Sequence, residues 1–247
     1  MGILESSLAS EQVGMFEASM KASRDFLAGR QDLQDVDIYN TWRLLLTKDE
    51  IDVAVRYCAK VINEKFKGKD IVIACILKGC VYFFVDLTRM ITLPHSCYMF
   101  EFSSYVGQTQ NSGEILSLIQ PEKFKNKYVI LLDELYDNGL TLESVKQEIM
   151  KKGNVPSENI FTCTLMRKEH SGKYPEPDLC PLVLPDCWCT GLGLDDSQQK
   201  RNWTCVYACP KAPGIELSEA DKMFMDNDVY VKEREKIIAQ IKKLVDY

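Results

Sequence analysis

The stretch from Val129 to Thr141 constrains the fold of this chain more than any other. Four apolar residues lead directly into Asp133 and Glu134, and Asp137 follows shortly afterwards. A short apolar run bounded by turn residues is typical of a buried parallel strand. Beyond the turn, the apolar spacing becomes that of a helix. The stretch therefore predicts a strand, a tight loop and a helix, with three acids at the carboxyl end of the strand.

The same alternation recurs along the chain. Ile71 to Leu77 and Ile160 to Met166 are further apolar runs of strand length, and Thr47 begins a helix with a capping box. Shorter strands are expected over 41–46, 97–104, 114–119 and 203–209. Strands that alternate with helices predict an α/β fold, a parallel sheet flanked by helices on both faces.

The loop after the predicted strand suits a phosphate. Asn138-Gly139 is a turn dipeptide, Thr141 adds a hydroxyl, and a helix N-terminus presents free N–H groups and a positive dipole end. Adjacent acids beside a phosphate suit sugar hydroxyls or a hydrated Mg²⁺ ion. Asp133 and Glu134 would point to opposite faces of a strand, which predicts separate roles. The plainer alternative is that these acids are solvated loop residues.

Composition narrows the classes of protein. The 247 residues allow one large domain, the net charge is −6 and no dense Lys/Arg cluster occurs, which argues against a nucleic-acid partner. No signal peptide and no bilayer-length apolar run is found, so a cytoplasmic location without stable membrane association is expected. The ten cysteines are scattered, so free thiols are expected. A four-thiolate zinc site is an alternative, formed by Cys187, Cys189, Cys205 and Cys209.

The predicted organisation is a central domain with a helical extension at each end. We predict an N-terminal helical extension over 1–37 with a helix at 8–29, a domain over 38–210 and a C-terminal helical extension over 211–247. One face of the last helix carries four aliphatic residues, namely Ile237, Ile238, Ile241 and Val245. We expect that helix to cap the domain or to pair with the N-terminal helix.

The stretch over 129–141 resembles the phosphoribosyl-pyrophosphate (PRPP) signature of type I phosphoribosyltransferases. That signature is a hydrophobic strand, two acids, a spacer, Asp, Thr or Ser, Gly, any residue and Thr. Asn138 departs from the Thr or Ser, which removes one hydroxyl from the phosphate site. The resemblance covers roughly residues 40–210 and implies a type I phosphoribosyltransferase fold. It also implies a small hood formed partly by 168–209.

The resemblance implies roles for the acids and the loop. Asp133 and Glu134 would hold the ribose hydroxyls, Asp137 would be the general base near the purine N7, and Mg²⁺ would be the cofactor. The 5′-phosphate would be bound by the loop that carries Asp137, Asn138, Gly139, Leu140 and Thr141.

Other matches to the family lie at the ends of further strands. Leu77-Lys78-Gly79-Cys80 matches a loop whose backbone holds pyrophosphate, although Cys80 replaces a glycine. Arg201 matches an arginine that binds pyrophosphate. Ser104 and Tyr105 match a dipeptide in a mobile loop that closes over PRPP.

Matches further along indicate the 6-oxopurine branch of the family. Lys168, with Arg167 as the alternative, would donate to the purine 6-oxo group, since an exocyclic oxygen needs a donor. Trp188 would stack on the purine and the backbone of Cys189 would bind its edge. Asp195 would lie in the purine site and hold the metal together with Asp133 and Glu134.

The implied activity is transfer of phosphoribose from PRPP to hypoxanthine or guanine by a homodimer or homotetramer. Three alternatives stay open at this point. Xanthine could be a main acceptor. A non-catalytic PRPP- or nucleotide-binding regulator could use the same fold, since fold does not fix function. The chain could also be an assembly protein that uses its terminal helices.

Overall fold

The computed structural model describes residues 42–103, 114–115, 119–170, 172–196, 198–209 and 218–246. The predicted helix at 8–29 lies outside these residues. The four helices among the described residues are α1 (Lys48–Lys65), α2 (Val81–Thr88), α3 (Leu140–Gly153) and α4 (Asn227–Val245). The strands are β1 (Arg43–Leu46), β2 (Ile71–Leu77), β3 (His95–Ser103), β4 (Glu114–Ile115), β5 (Tyr128–Tyr136), β6 (Ile160–Lys168), β7 (Leu182–Leu184), β8 (Trp188–Thr190) and β9 (Val206–Cys209).

A six-stranded sheet forms the centre of the molecule, in the order β4-β3-β2-β5-β6-β7. All of its pairs are parallel except β3 with β4. The predicted α/β fold with a parallel sheet is confirmed. Because parallel strands end at one edge, the loops after β2, β5 and β6 are neighbours there.

Alternate residues of the central strands enter two separate cores. Ile73 and Ile130 pack in a cluster with residues of α1, α2 and α4. Ala74 and Leu131 pack in a second cluster with residues of α3. Strands buried on both faces need apolar residues at every position, which explains the unbroken apolar runs in the sequence.

A second sheet of three antiparallel strands is formed by β1, β9 and β8, in that order. It places the first described strand of the chain next to the last, with β8 on the other side of β9. Residues 182–184, inside the predicted hood range, instead form β7 and pair with β6 in the main sheet. The division into three regions stays a prediction.

The helix α4 is attached to the domain by buried polar contacts. Arg234 donates to Glu50 of α1 across 2.5 Å, and both side chains are buried. The amide of Gln240 donates to the backbone oxygen of Val183 across 3.0 Å. The predicted apolar face is correct for Ile237 and Ile241, which are buried, whereas Val245 is exposed.

Several strand boundaries differ from the prediction; β3 covers His95–Ser103, for example, and β6 continues to Lys168. β5 continues to Tyr136, so Asp133 and Glu134 still belong to the strand. β9 starts at Val206 rather than at Trp203, because the backbone N–H of Trp203 bonds to Lys200 in a turn. For the expected strand over 114–119, β4 covers Glu114–Ile115, and 116–118 lie outside the described residues.

Candidate active site

The two adjacent acids at the end of β5 lie in a low-dielectric environment. Burial raises the pKa of Asp133 well above its usual range, and the charge of Glu134 raises it further. Burial also raises the pKa of Glu134, although the hydrogen bond to Asp133 and the charge of Arg201 act against this rise. The separate roles of the two acids stay a prediction. The acids do interact locally, since the backbone N–H of Glu134 donates to the Asp133 carboxylate across 3.1 Å.

Two glycines form a tight contact around Glu134. A Cβ atom on Gly79 would lie 1.8 Å from the Glu134 carboxylate oxygen. A Cβ atom on Gly193, whose φ is +96°, would lie 1.8 Å from the backbone oxygen of Gly79. Because no side chain fits at either position, the backbone of Gly79 lies against the acid and the backbone of Gly193 lies against Gly79. The sequence analysis predicted a role for Gly79 but not for Gly193. The only sequence feature that could have indicated Gly193 is the pair of closely spaced glycines, Gly191 and Gly193.

Arg201 lies on the same side of the site. Its guanidinium contacts the Asp195 carboxylate at 2.7 Å and donates to the Gly193 oxygen across 2.6 Å. The Gly193 N–H in turn donates to the Arg201 backbone oxygen across 2.8 Å. These bonds join two parts of the single connection between β8 and β9, and both Asp195 and Arg201 influence the charge state of Glu134.

The loop between β5 and α3 has the geometry of an anion-binding turn. Gly139, at φ +87°, is the residue before the helix, and a Cβ there would lie 2.6 Å from the Tyr136 ring. The helix N-terminus therefore starts directly after the strand. The side-chain oxygen of Asn138 accepts the N–H of Leu140 across 2.9 Å, which occupies one of the free donors. Thr141 is partly buried in the first turn.

The residues predicted for the base lie at the end of β6 and on β8. Lys168 is buried, donates to the Cys187 backbone oxygen and lies 3.9 Å from Asp186. Arg167 pairs instead with Glu176 at 3.8 Å, which favours Lys168 over its neighbour. Trp188 leaves 51% of its surface exposed, so its ring is accessible for stacking.

The thiol of Cys189 lies near the charged side chains around the residues predicted to bind the base. The hydrogen bond from Cys187 lowers the pKa of the Cys189 thiol. Burial opposes this effect, the charge of Lys168 lowers the pKa further, and Asp137 and Asp186 raise it. The thiol therefore interacts electrostatically with all three charged side chains, Lys168, Asp137 and Asp186.

The four-thiolate alternative finds no support in the structure. All ten cysteines are free, and Cys187 and Cys189 form a thiol–thiol hydrogen bond at 3.7 Å. Within the described ranges, no three His, Cys, Asp or Glu side chains lie close enough together to hold a metal by themselves.

The remaining predicted residues have mixed outcomes. Ser104 and Tyr105 lie outside the described residues. Lys78 directly follows β2 and is exposed, whereas Cys80 is buried in the core. The side chain of Cys80 therefore adds to the packing of the core. Sequence inspection also missed His170 and Asp186, because neither belongs to a motif.

These features define a class of protein. An open parallel sheet that gathers paired acids, glycine loops and a helix N-terminus at its carboxyl edge is a site for a phosphorylated sugar. Residues 42–196 match the phosphoribosyl transferase domain, and the chain belongs to that family.

Particular relatives narrow the class further. The chain is 30% identical over 161 residues to a hypoxanthine-guanine phosphoribosyltransferase of Staphylococcus epidermidis, covering 64% of this chain and 88% of that one. It is 26% identical over 163 residues to the Lactococcus lactis protein of the same name, covering 65% and 86%. A crystal structure of a hypoxanthine-guanine phosphoribosyltransferase from Bacillus anthracis superposes with a TM-score of 0.59. It has 26% identity and covers 67% of this chain and 96% of that one. The resemblance drawn from the sequence is confirmed.

Proposed function

We propose that the protein is a purine salvage enzyme that transfers the 5-phosphoribosyl group of PRPP to hypoxanthine or guanine. A bond forms between purine N9 and ribose C1, and the bond from C1 to pyrophosphate breaks. The purine proton passes to the enzyme, and the products are the nucleotide and pyrophosphate. The relatives' names support hypoxanthine and guanine over xanthine as acceptors.

One observation carries this proposal. At one edge of the sheet, Gly79 lies against Glu134, and Arg201 is near that acid. At the end of the neighbouring strand, the buried Lys168 lies near Cys189, which follows Trp188 on β8. The first part suits a pyrophosphate and a ribose, and the second suits a planar base with an acceptor oxygen. Transfer between a sugar phosphate and a purine requires these two parts to be neighbours.

The pocket around Gly79 suits the leaving pyrophosphate. Departure of pyrophosphate leaves positive charge on ribose C1 and negative charge on the departing oxygens. Arg201 and the backbone donors of Lys78 and Gly79 would stabilise the anion, because donors that are already oriented need no reorganisation. Asp133 and Glu134 would hold the ribose hydroxyls, and their charge would favour the developing cation.

Mg²⁺ fits the acids at this site. Magnesium is usually held by one or two carboxylates together with substrate phosphates and water. Asp133 and Glu134 would supply such carboxylates, and burial raises the pKa of both, so a bound cation would favour their charged forms. Asp195 would assist through its pairing with Arg201. When bound, the ion would neutralise charge on the pyrophosphate.

The loop after β5 would bind the 5′-phosphate, and its Asn138 gives the first prediction. Asn138→Thr should lower the KM for PRPP by about threefold to tenfold, since it adds a hydroxyl and frees the Leu140 N–H. Steady-state kinetics at saturating hypoxanthine would measure this change. An unchanged or raised KM would show that the amide serves the phosphate equally well.

Lys168 gives the second prediction. Lys168→Ala should raise the KM for hypoxanthine by about tenfold to a hundredfold, the effect of losing a charged donor, with the KM for PRPP little changed. Arg167→Ala is the matched control and should have little effect, because Arg167 pairs with Glu176. If the control rather than Lys168→Ala weakens purine binding, the assignment of the donor is wrong.

A panel of four bases tests the function as a whole. Hypoxanthine, guanine, xanthine and adenine would each be incubated with PRPP and Mg²⁺, and nucleotide formation would be followed by absorbance, with EDTA as the control. We expect activity with the first two bases, little with adenine and none after chelation. A regulator would bind PRPP in calorimetry yet form no nucleotide from any base.

Assembly and location are part of the proposal. We infer a homodimer or homotetramer, which gel filtration with light scattering would measure. None of the helices in the described ranges has the length and hydrophobicity needed to cross a bilayer. Ten free cysteines are typical of a reducing compartment, which supports a cytoplasmic location.

A further inference from the structure

A histidine outside every sequence motif lies against the proposed general base. His170 follows β6 by two residues. Its Nε2 atom lies 3.1 Å from the Asp137 carboxylate, and its Nδ1 atom lies 3.2 Å from the Asp186 carboxylate. The imidazole therefore lies between two acids that come from different loops.

The two contacts of the ring are not equivalent. The Nδ1 atom is buried and, within the part of the chain that the structure describes, forms no aligned hydrogen bond despite its closeness to Asp186. A carboxylate oxygen only accepts, so the nitrogen that bonds to it must carry a proton. Nε2, 3.1 Å from the Asp137 carboxylate, is therefore the ring nitrogen placed to donate to it.

Asp137 needs such a partner. It lies one residue beyond the end of β5, and 59% of its side chain is exposed. A carboxylate so exposed can rotate freely, whereas a general base must be held within hydrogen-bond reach of the proton that it removes. Among its described neighbours, His170 is the charged or polar side chain shown in contact with it.

We propose that His170 is a positioning residue, which holds the Asp137 carboxylate toward purine N7. This inference rests on the proposed function. Asp186 lies 3.2 Å from His170 and 3.9 Å from Lys168, so it links the base to the donor for the 6-oxo group. N7 and the 6-oxo group are neighbours on one edge of the purine. Asp137 would contact N7 and Lys168 would contact the 6-oxo group. Because His170 and Asp186 link these two residues, both would stay aligned with that edge of the purine.

Three substitutions at His170 test the role of each ring nitrogen. Gln places its amide near the position of Nε2, and Asn places its amide near that of Nδ1. His170→Ala and His170→Asn should lower kcat by roughly tenfold to a hundredfold, with the KM for PRPP within about twofold of wild type. His170→Gln should recover kcat to within about threefold of wild type. Equal losses in Gln and Asn variants of equal thermal stability would overturn the inference.

A double-mutant cycle with Asp137→Asn gives the stricter test. If His170 acts through Asp137, adding His170→Ala to Asp137→Asn should cause no further loss of kcat. A multiplied loss in the double variant, or a loss confined to stability, would overturn the positioning role. A wild-type protein that forms no nucleotide would overturn the proposed function itself. An active wild type with an equally active His170→Ala variant overturns only the inference.

Discussion

Asp137→Asn should lower kcat for hypoxanthine by about a hundredfold or more, because loss of a general base removes a contribution of that size. The substitution keeps the shape and hydrogen-bonding capacity of the side chain but removes its ability to take a proton. PRPP affinity should change little, since Asp137 lies against His170 while Asp133 and Glu134 are the acids proposed to hold the sugar. Rapid-quench kinetics would measure the chemical step, and calorimetry would measure PRPP binding.

Asp70→Asn is a matched control for this experiment. Asp70 lies just before β2 at the opposite edge of the sheet, and 66% of its side chain is exposed. Its substitution should leave kcat unchanged. If Asp137→Asn turns over as fast as this control, Asp137 is not the base.

The second large effect is expected on stability. Arg234→Met should lower the free energy of unfolding by about 3–5 kcal/mol, because it leaves the Glu50 carboxylate buried without its partner. Urea denaturation followed by circular dichroism would measure the change.

The double variant Glu50→Gln/Arg234→Met isolates the cause of that loss. Gln keeps the oxygen that accepts the Thr47 N–H at the start of α1, so the capping box survives. Without a buried charge, the double variant should regain most of the lost stability. If both variants are equally unstable, packing of α4 rather than the unpaired charge is responsible. A single variant as stable as wild type would show that the ion pair contributes little.

The elements that the sequence predicted well are those whose signal is local. The apolar run at Ile71–Leu77 is β2 without any shift of its ends. Thr47 and Glu50 form the predicted capping box of α1. Such signals depend on interactions between residues that are close in the sequence, so the local sequence is sufficient to predict them.

The site was predictable where it follows a motif and not elsewhere. Asp137, Gly79 and Lys168 end three parallel strands, so the topology alone brings them to one edge. Gly193 and His170 come from loops whose paths the strand pattern does not specify. Their contacts with Gly79 and Asp137 depend on how the segments after β6 and β8 fold back over that edge.

The sequence by itself determined the parallel sheet, the loop for a phosphate and the family, because hydrophobic period and motif spacing are properties of the chain. Tertiary structure alone decided that Glu50 meets Arg234 and that His170 lies between Asp137 and Asp186. The reason is physical. Pairing between distant charges depends on burial and on distances of a few ångströms, which arise only when separate elements pack together.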